Sequence, residues 1–531
     1  MKLYFYGSDQ CVTGSCHCLE VNGKRILVDC GLQQGRDEID NAELPFDPST
    51  IDYVLVTHAH IDHTGRIPLL VRQGFTGQIW TTRLTARLME IMLIDSAYIQ
   101  QSDAEYTNRK HMRAGLPPVE PIYTIEDAQR VQGYVHTRRY GVPFQLCEGV
   151  MVTFSDAGHL LGSASITIDA EEDGEERTIV FSGDIGNINQ PIIRDPVLLT
   201  RGDYVVMEST YGDRNHQEAW SYTSELAQVI ERALGRGGNV VIPAFAVGRT
   251  QEILYFLRRI KQERLVKGVG DFPVYIDSPL ASKATTIFCG DLRGYLDAEA
   301  LALVKDGTDM FSFSNLHITE SVEESKLLNM DKTPKVIISA SGMCDAGRVR
   351  HHLKYNLWRP ESAVIFVGFQ APGTLGRTLL DGAKNVRLFG EEVAVMAEIV
   401  NFKGLSSHAD RNHLLEWAKH FEDTTHFFVV HGDREVAPYF ADSLERLGMS
   451  AHAPQYTEVY DLIANRQVEP GYLPARKPSI LGGGKVSSAY QRLVSVGKLL
   501  QEVILRSKGR ANKDLARFAD QLKQLIDKWE E

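Results

Sequence analysis

Thr57-His58-Ala59-His60-Ile61-Asp62-His63-Thr64-Gly65 follows directly on the apolar run from Ile51 to Val56. The β-branched content of that run predicts a buried strand, so the imidazoles emerge at a strand end, where loops define the surroundings. In an extended backbone alternate side chains share a face, which lets His58 and His60 converge on one ion. After the chain turns, Asp62 and His63 address another, so two neighbouring metals are implied. Polar loop residues ahead of a helix would explain any one of these histidines. They do not explain three histidines and an aspartate packed into six positions.

The motif resembles the signature of the metallo-β-lactamase superfamily. The resemblance implies an α/β fold, the four-layer αββα metallo-β-lactamase sandwich, with the site along one edge of its two sheets. Lactamases, thioesterases, lactonases, oxidoreductases and nucleases all share that fold, so other residues must choose among them.

A chain of 531 residues exceeds one ordinary core, and its 43% hydrophobic and 24% charged residues are those of a soluble protein. No apolar stretch approaches the roughly 20 residues needed to span a bilayer, so no membrane partner and a cytoplasmic location are expected. Seven cysteines, few and odd in number, argue for a reducing compartment rather than a disulfide framework. Cys16-His17-Cys18 lacks a second cysteine pair and reads as small apolar positions on a strand. A formal net charge of −12 is weak evidence against a nucleic-acid substrate, because a local groove and divalent ions set the field where a phosphate would sit.

Apolar runs that end in a reactive residue recur along the chain. Ile26-Leu27-Val28 ends at Asp29, Met151 to Phe154 leads to Asp156 and His159, Thr178 to Phe181 leads to Asp184, and Tyr204 to Met207 ends at Glu208. Later, Glu398-Ile399-Val400 leads to His408 and Phe427 to Val430 ends at His431. Between the two groups the texture becomes strand, glycine or proline loop, then helix, four times over: 239–243, 273–277, 335–338 and 363–367. Such alternation predicts a parallel sheet with a binding crevice at its carboxyl strand ends. The expected organisation is a first metallo-β-lactamase part over 1–208, an inserted domain over 209–395, a second part over 396–472, and a linker and helical tail over 473–531. The tail carries apolar residues at spacings of three and four, Leu493 to Val503 and then Leu515 to Trp529, and from Lys485 onward ten basic and six acidic side chains. A hairpin packed on its own globule and a homodimer contact through these helices are both open readings.

Given the superfamily resemblance, His58, His60 and His159 are expected to hold one metal and Asp62, His63 and His408 the other, with Asp184 bridging. Nitrogen and oxygen donors without thiolate suit two Zn²⁺ ions best, with Mn²⁺ or Fe²⁺ possible. Asp29 is expected to orient a ligand imidazole. Two ions roughly 3.5 to 4 Å apart can share a hydroxide and stabilise charge on a phosphoryl group.

Glu208-Ser209-Thr210-Tyr211-Gly212-Asp213-Arg214, Ser341-Gly342-Met343, Gly373-Thr374-Leu375-Gly376 and Ser406-Ser407-His408-Ala409-Asp410, together with the insertion, resemble the β-CASP branch of the superfamily. Members of that branch are nucleases, among them the cleavage and polyadenylation endonuclease and bacterial ribonucleases. The likeness covers about residues 1 to 470. It implies metal ligation by the seven residues above, a first acidic motif at Asp29 and an acidic catalytic residue at Glu208. The branch histidine that follows Gly-Thr-Leu-x-x is Thr378 here, as in bacterial relatives that also lack it. The general acid is therefore open among Glu208 through a water, His431, His351 and His352. A histidine at the place of His408 accompanies RNA-processing members, whereas DNA-repair members carry valine.

Arg249 and Arg377 follow glycine loops at predicted helix starts, where backbone N–H groups and a guanidinium can hold phosphate, although such loops also merely end strands. With Ser341 and Thr378 they are the candidate substrate contacts; Asp62, Asp184, Glu208, His408 and His431 are the candidate catalytic residues. The reading is a two-metal ribonuclease acting on single-stranded RNA and leaving 5′-phosphate and 3′-hydroxyl ends. The alternatives are a small-molecule ester or phosphodiester hydrolase and a non-catalytic subunit of an RNA-processing complex.

Overall fold

Strand-rich segments at both ends of the chain pair with one another, and the segment between them builds a sheet of its own. The structure is a computed structural model that describes residues 1–34, 40–216, 222–371, 373–402, 405–475, 500, 504 and 512–527. Among these, an eight-stranded sheet runs in the order Arg466–Glu469, Val459–Asp461, Lys2–Phe5, His17–Val21, Lys24–Val28, Tyr53–Leu55, Gln78–Thr82, Val135–Arg138. A seven-stranded sheet runs Ala451–His452, His426–Val430, Tyr204–Glu208, Glu175–Phe181, Ala164–Glu172, Val150–Asp156, Phe144–Cys147.

The inner faces of the two sheets share one core, in which Phe5, Val28, Leu55, Phe154, Ile166, Phe181, Tyr204 and Phe428 are all buried. Strand alternation explains the layering: in Val150–Asp156 the burial alternates residue by residue, Val152 and Phe154 facing the core. Helices cover the outer faces. Trp417 and Leu414 of Arg411–Lys419 and Phe440 and Leu444 of Val436–Glu445 pack on Val205, Phe427 and Val429. Ile67 and Leu70, with Leu84, Leu88 and Leu93 of the 32-residue helix Arg83–Ala114, pack on Leu27, Val54, Val56 and Ile79. These are the four αββα layers expected from the His-x-His-x-Asp-His motif.

The insertion forms a six-stranded, wholly parallel sheet in the order Leu316–Ile318, Val274–Ile276, Val336–Ser339, Val240–Pro243, Ala363–Phe366, Glu398–Asn401. The four alternating units read from sequence supply its inner strands. Glu398–Asn401, grouped by sequence with the returning half, instead pairs with Ala363–Phe366. The chain thus rejoins the sandwich only after residue 401. Its Asn187, Ala409 and Gly186 backbones make that junction: Asn187 N–H donates to the Ser407 carbonyl (3.0 Å), Ala409 N–H to the Ile185 carbonyl (2.8 Å), and Gly186 bridges His408.

Residues 478–531 are a separate unit, in which the helix Asn512–Asp527 is described. The expected helix around 493–503 and the glycine-rich linker lie outside the described residues. No described helix is long and apolar enough to cross a membrane.

Candidate metal centre

The strand Tyr53–Leu55 delivers Thr57 to His60 in extended backbone at the sandwich edge, and a single helical turn, Ile61–Thr64, begins immediately after His60. That turn swings Asp62 and His63 away from the face that His58 and His60 occupy. Two glycines permit the dense packing around it. A Cβ on Gly31 would lie 1.6 Å from the Asp62 carbonyl oxygen, and one on Gly186 would lie 1.7 Å from the Gly158 carbonyl oxygen. The Asp29 loop therefore rides directly on the metal-motif turn, and the Asp184 loop rides on the His159 loop.

Three groups of donor atoms result, each within a 4.8 Å span: His58, His60, His159 and Asp184 in a first set, Asp62, His63 and His431 in a second, and Asp184, Glu208 and His408 beside them. In the first set, His58 Nε2 lies 3.1 Å from His60 Nδ1, His159 Nε2 lies 3.2 Å from the same atom, and Asp184 Oδ2 is 3.4 and 3.5 Å from His58 and His159. Tetrahedral donors 2.0–2.1 Å from a zinc ion are separated by about 3.3 Å, so these spacings are those of a tetrahedron around an ion of that size. In the second set, His63 Nε2 is 3.3 Å from His431 Nε2, 3.2 Å from Asp184 Oδ1 and 4.0 Å from Asp62 Oδ2, which is 3.6 Å from His431 Nε2. Asp184 thus offers one oxygen to each set. Its Oδ1 is buried without a hydrogen-bond partner.

The outer hydrogen bonds decide which ring nitrogens are bare. Thr57 Oγ1 donates to Asp29 Oδ2 (2.7 Å) and so accepts from His58 Nδ1 (3.1 Å); His63 Nδ1 donates to Asp29 Oδ2 (2.7 Å); His159 Nδ1 donates to the Ser407 carbonyl (3.2 Å). Thr210 Oγ1 donates to the His431 carbonyl and so accepts from His431 Nδ1 (3.0 Å). Each of these rings is left with a proton-free Nε2 aimed at the cluster. Lone pairs and carboxylate oxygens converging this closely are suited to holding cations. Divalent metal use therefore fits the residues present. Two of the residues that build the cradle, Asp29 (φ 62°) and His431 (φ 50°), are in left-handed backbone, each at a cost of roughly 1–3 kcal/mol carried by the surrounding fold.

Family models match three successive stretches of the chain. Residues 10–232 match the family model described as the metallo-beta-lactamase superfamily, 250–379 the Beta-Casp domain, and 392–454 the Zn-dependent metallo-hydrolase RNA specificity domain. Ribonuclease TTHA0252 of Thermus thermophilus is 37% identical over 436 residues, which are 82% of this chain and 94% of that protein. An RNase J-like protein of Methanocaldococcus jannaschii is 30% identical over 83% of this chain and 94% of its own length. The transcription termination factor FttA of Methanosarcina mazei is 32% identical over 81% of this chain and 66% of its own. This chain belongs to the β-CASP branch of the metallo-β-lactamase superfamily.

Within this β-CASP site the donor atoms group differently from the expected partition at one position. His431, read from sequence as a candidate proton donor, groups with Asp62 and His63, whereas His408, expected there, groups with Asp184 and Glu208. His408 Nδ1 lies 3.1 Å from Glu208 Oε1 and its Nε2 is 3.9 Å from Asp184 Oδ2. Glu208 is buried, and its two oxygens also accept from the backbone N–H groups of Ile185 (2.7 Å) and Thr210 (3.1 Å), which fixes the pair's orientation. Burial opposes a charged ring at His408, but the Glu208 and Asp184 carboxylates outweigh it and raise His408 to about 9. At His58 burial dominates, with His63 adding to it, and the ring is pushed down to about 3. Asp184 is held well below the usual carboxylate range: burial works against this, and the imidazoles of His431, His63, His58 and His408 overcome it.

The candidate substrate contacts lie apart from this cluster. Arg249 is buried in an ion pair with Glu252, lining a recess of about 890 Å³ that reaches His216 and Ser406 behind the His408 loop. Arg377 pairs with Asp381 one turn along its own helix (2.8 Å), and Thr378 Oγ1 donates to the Thr374 carbonyl (2.9 Å). Ser341 Oγ engages Ala346 of its own loop at 3.4 Å. His352 is buried between Asp277 Oδ2 (2.6 Å) and Asn329 Oδ1 (2.9 Å), and His351 stacks on Phe389 (4.3 Å), so both serve packing in the inserted domain. Sequence reasoning missed Thr57, which sits inside the motif yet bonds Asp29 and His58 together. It also missed His216, whose Nε2 donates to the His408 carbonyl (2.9 Å). Thr57 was legible as the hydroxyl residue immediately before the first histidine of the motif; nothing local marked His216.

Proposed function

We propose that this β-CASP chain is an RNA-processing nuclease, a zinc-dependent hydrolase of phosphodiester bonds that acts on single-stranded RNA. The observation that carries the reading is one carboxylate, Asp184, shared between two donor sets beside a Glu208–His408 pair. His58, His60 and His159 with Asp184 Oδ2 would hold one Zn²⁺, and Asp62, His63 and His431 with Asp184 Oδ1 a second. Such a pair supplies an activated water and neutralises charge developing on the phosphoryl group.

The chain's own residues do the rest. Asp29 holds His63 directly and His58 through Thr57, so the metal-facing nitrogens are oriented before any ion arrives. Glu208 accepts from His408 Nδ1, which leaves the partly exposed Nε2 to give its proton to the departing 3′-oxygen. That assigns the general acid to His408 and makes Thr378 immaterial to it. The products are 5′-phosphate and 3′-hydroxyl ends. Seven cysteines, few and odd in number, suit a reducing compartment and action in the cytoplasm. The amphipathic helix Asn512–Asp527, with Leu515, Phe518 and Leu522 only half-buried, is the place for self-association.

End-labelled single-stranded RNA and DNA oligomers incubated with the full chain test the reading. RNA is cut into 5′-phosphorylated products, and chelation or Asp184→Ala abolishes the cut. Turnover of a small ester without RNA cleavage, or full activity of Asp184→Ala, would refute it.

A further inference from the structure

Among the described residues, the inserted sheet presents exposed rings at the carboxyl ends of two of its strands. Phe245 follows Val240–Pro243 and Phe369 follows Ala363–Phe366, two strands that pair directly, and their side chains are 42% and 46% exposed. Single exposed apolar residues need no explanation in themselves. Their placement does, because ligands of parallel α/β sheets bind outside the carboxyl ends of adjacent strands.

The surroundings of Phe245 are built to keep its ring in place and one side of it open. A methyl on Gly342 would lie 3.2 Å from that ring, and one on Gly368 would lie 3.9 Å from it, so two glycines form the floor beneath the phenyl. The Gln370 amide donates to the carbonyls of both glycines (2.9 and 3.3 Å), tying the floor together. Thr250 donates to the Phe245 carbonyl from its N–H (3.2 Å) and from Oγ1 (2.7 Å), fixing the backbone that carries the ring. Three residues on, Gly248 sits so close to Leu160 that a Cβ there would be 3.1 Å from Leu160 Cδ1. Leu160 adjoins the metal-facing His159. The phenyl-bearing loop and the metal cradle are therefore neighbours on one edge.

Arg249 and Arg377, the guanidiniums nearest in sequence to these loops, are already paired with Glu252 and Asp381. Phosphate capture by charge is thus not what these loops offer. Resting on the nuclease reading, we propose that Phe245, with Phe369 beside it, is a stacking platform for unpaired nucleobases of single-stranded RNA, setting the register of the strand that crosses the metal centre. Every base has a π-face, so such a platform tolerates sequence and rejects a duplex whose bases are already stacked.

The test couples the ring to the base. Single-stranded RNA oligomers carrying one abasic nucleotide at successive positions are bound to the full-length Asp184→Asn chain and cleaved by the wild-type chain. One or two positions are expected to weaken binding about 5- to 50-fold, and Phe245→Leu, which keeps apolar bulk without a π-face, weakens unmodified RNA by a similar factor. The Leu chain then becomes indifferent to the abasic position, and Phe245→Trp restores the sensitivity. Phe369→Leu gives the same pattern at a neighbouring position and serves if Phe245→Leu does not fold. A flat abasic profile in the wild-type chain, or independent losses from ring and base, overturns the stacking platform while cleavage persists. Coupled binding without cleavage keeps the platform and overturns the nuclease; absence of RNA binding overturns both.

Discussion

The metal cradle and the inserted sheet are both strand-end sites, yet they are finished in opposite ways. Around Asp184 the donor side chains are mostly buried, and the outer partners Asp29, Thr57, Thr210 and Ser407 already orient His63, His58, His431 and His159. At the carboxyl ends of the inserted sheet the arginines are spent on internal pairs, glycines form the floor, and phenyl rings face outward. Chemistry that must not reorganise is preassembled. A surface that must accept many sequences is left apolar and backbone-lined. The difference teaches that this chain concentrates buried charge at the metal cradle, while the proposed stacking platform would set position along the strand by contacts that carry no charge.

The harshest way to break that comparison is Asp184→Ala, which removes one oxygen from each donor set. A loss on the order of 10⁴-fold in kcat is expected, together with loss of bound metal by elemental analysis. Next comes the separation of His408 from His431. His408→Ala retains two metals per chain and lowers kcat by roughly 10²- to 10⁴-fold, whereas His431→Ala loses one metal. The reverse pattern would restore the partition first read from sequence. Asp29→Asn keeps every ligand but loosens the His63 and His58 orientation, so metal affinity falls about 10- to 100-fold by competition with a chelator.

Smaller effects sharpen the other side of the comparison. Arg249→Ala strands a buried Glu252 and is expected to destabilise the fold by roughly 3–5 kcal/mol in denaturant melts, with KM for RNA changed only as far as folding is. Arg377→Ala removes an exposed pair and is expected to change stability by about 1 kcal/mol or less, with activity unchanged. A large rise in KM from either variant would return these arginines to phosphate binding.

The sandwich was legible because its decisive signal is local: a strand, alternate histidines and a turn within nine residues report a metal site without knowledge of the rest. His159 and Asp184 were readable as strand-tip residues for the same reason. The choice between His408 and His431 was not, since both arrive from distant segments and their places depend on two remote contacts. One is the Gly186–His408 bridge; the other is the Ser8 carbonyl that accepts the His431 N–H at 2.8 Å. Glu398–Asn401 was misgrouped because an edge strand of a parallel sheet and a returning strand share the same composition. The fate of Arg249 lay in plain view three residues along, at the helical spacing that brings Glu252 beside it.

The docking of residues 407–409 onto 185–187 carries a consequence for how the protein comes into being. A chain emerging from the ribosome has His58 through Asp184 early, but His408 and His431 follow only after the whole insertion has left the exit. On the ribonuclease reading, a copy translated no further than the insertion lacks both His408 and His431, so its metal cradle and its proton donor stay incomplete until the returning segment docks.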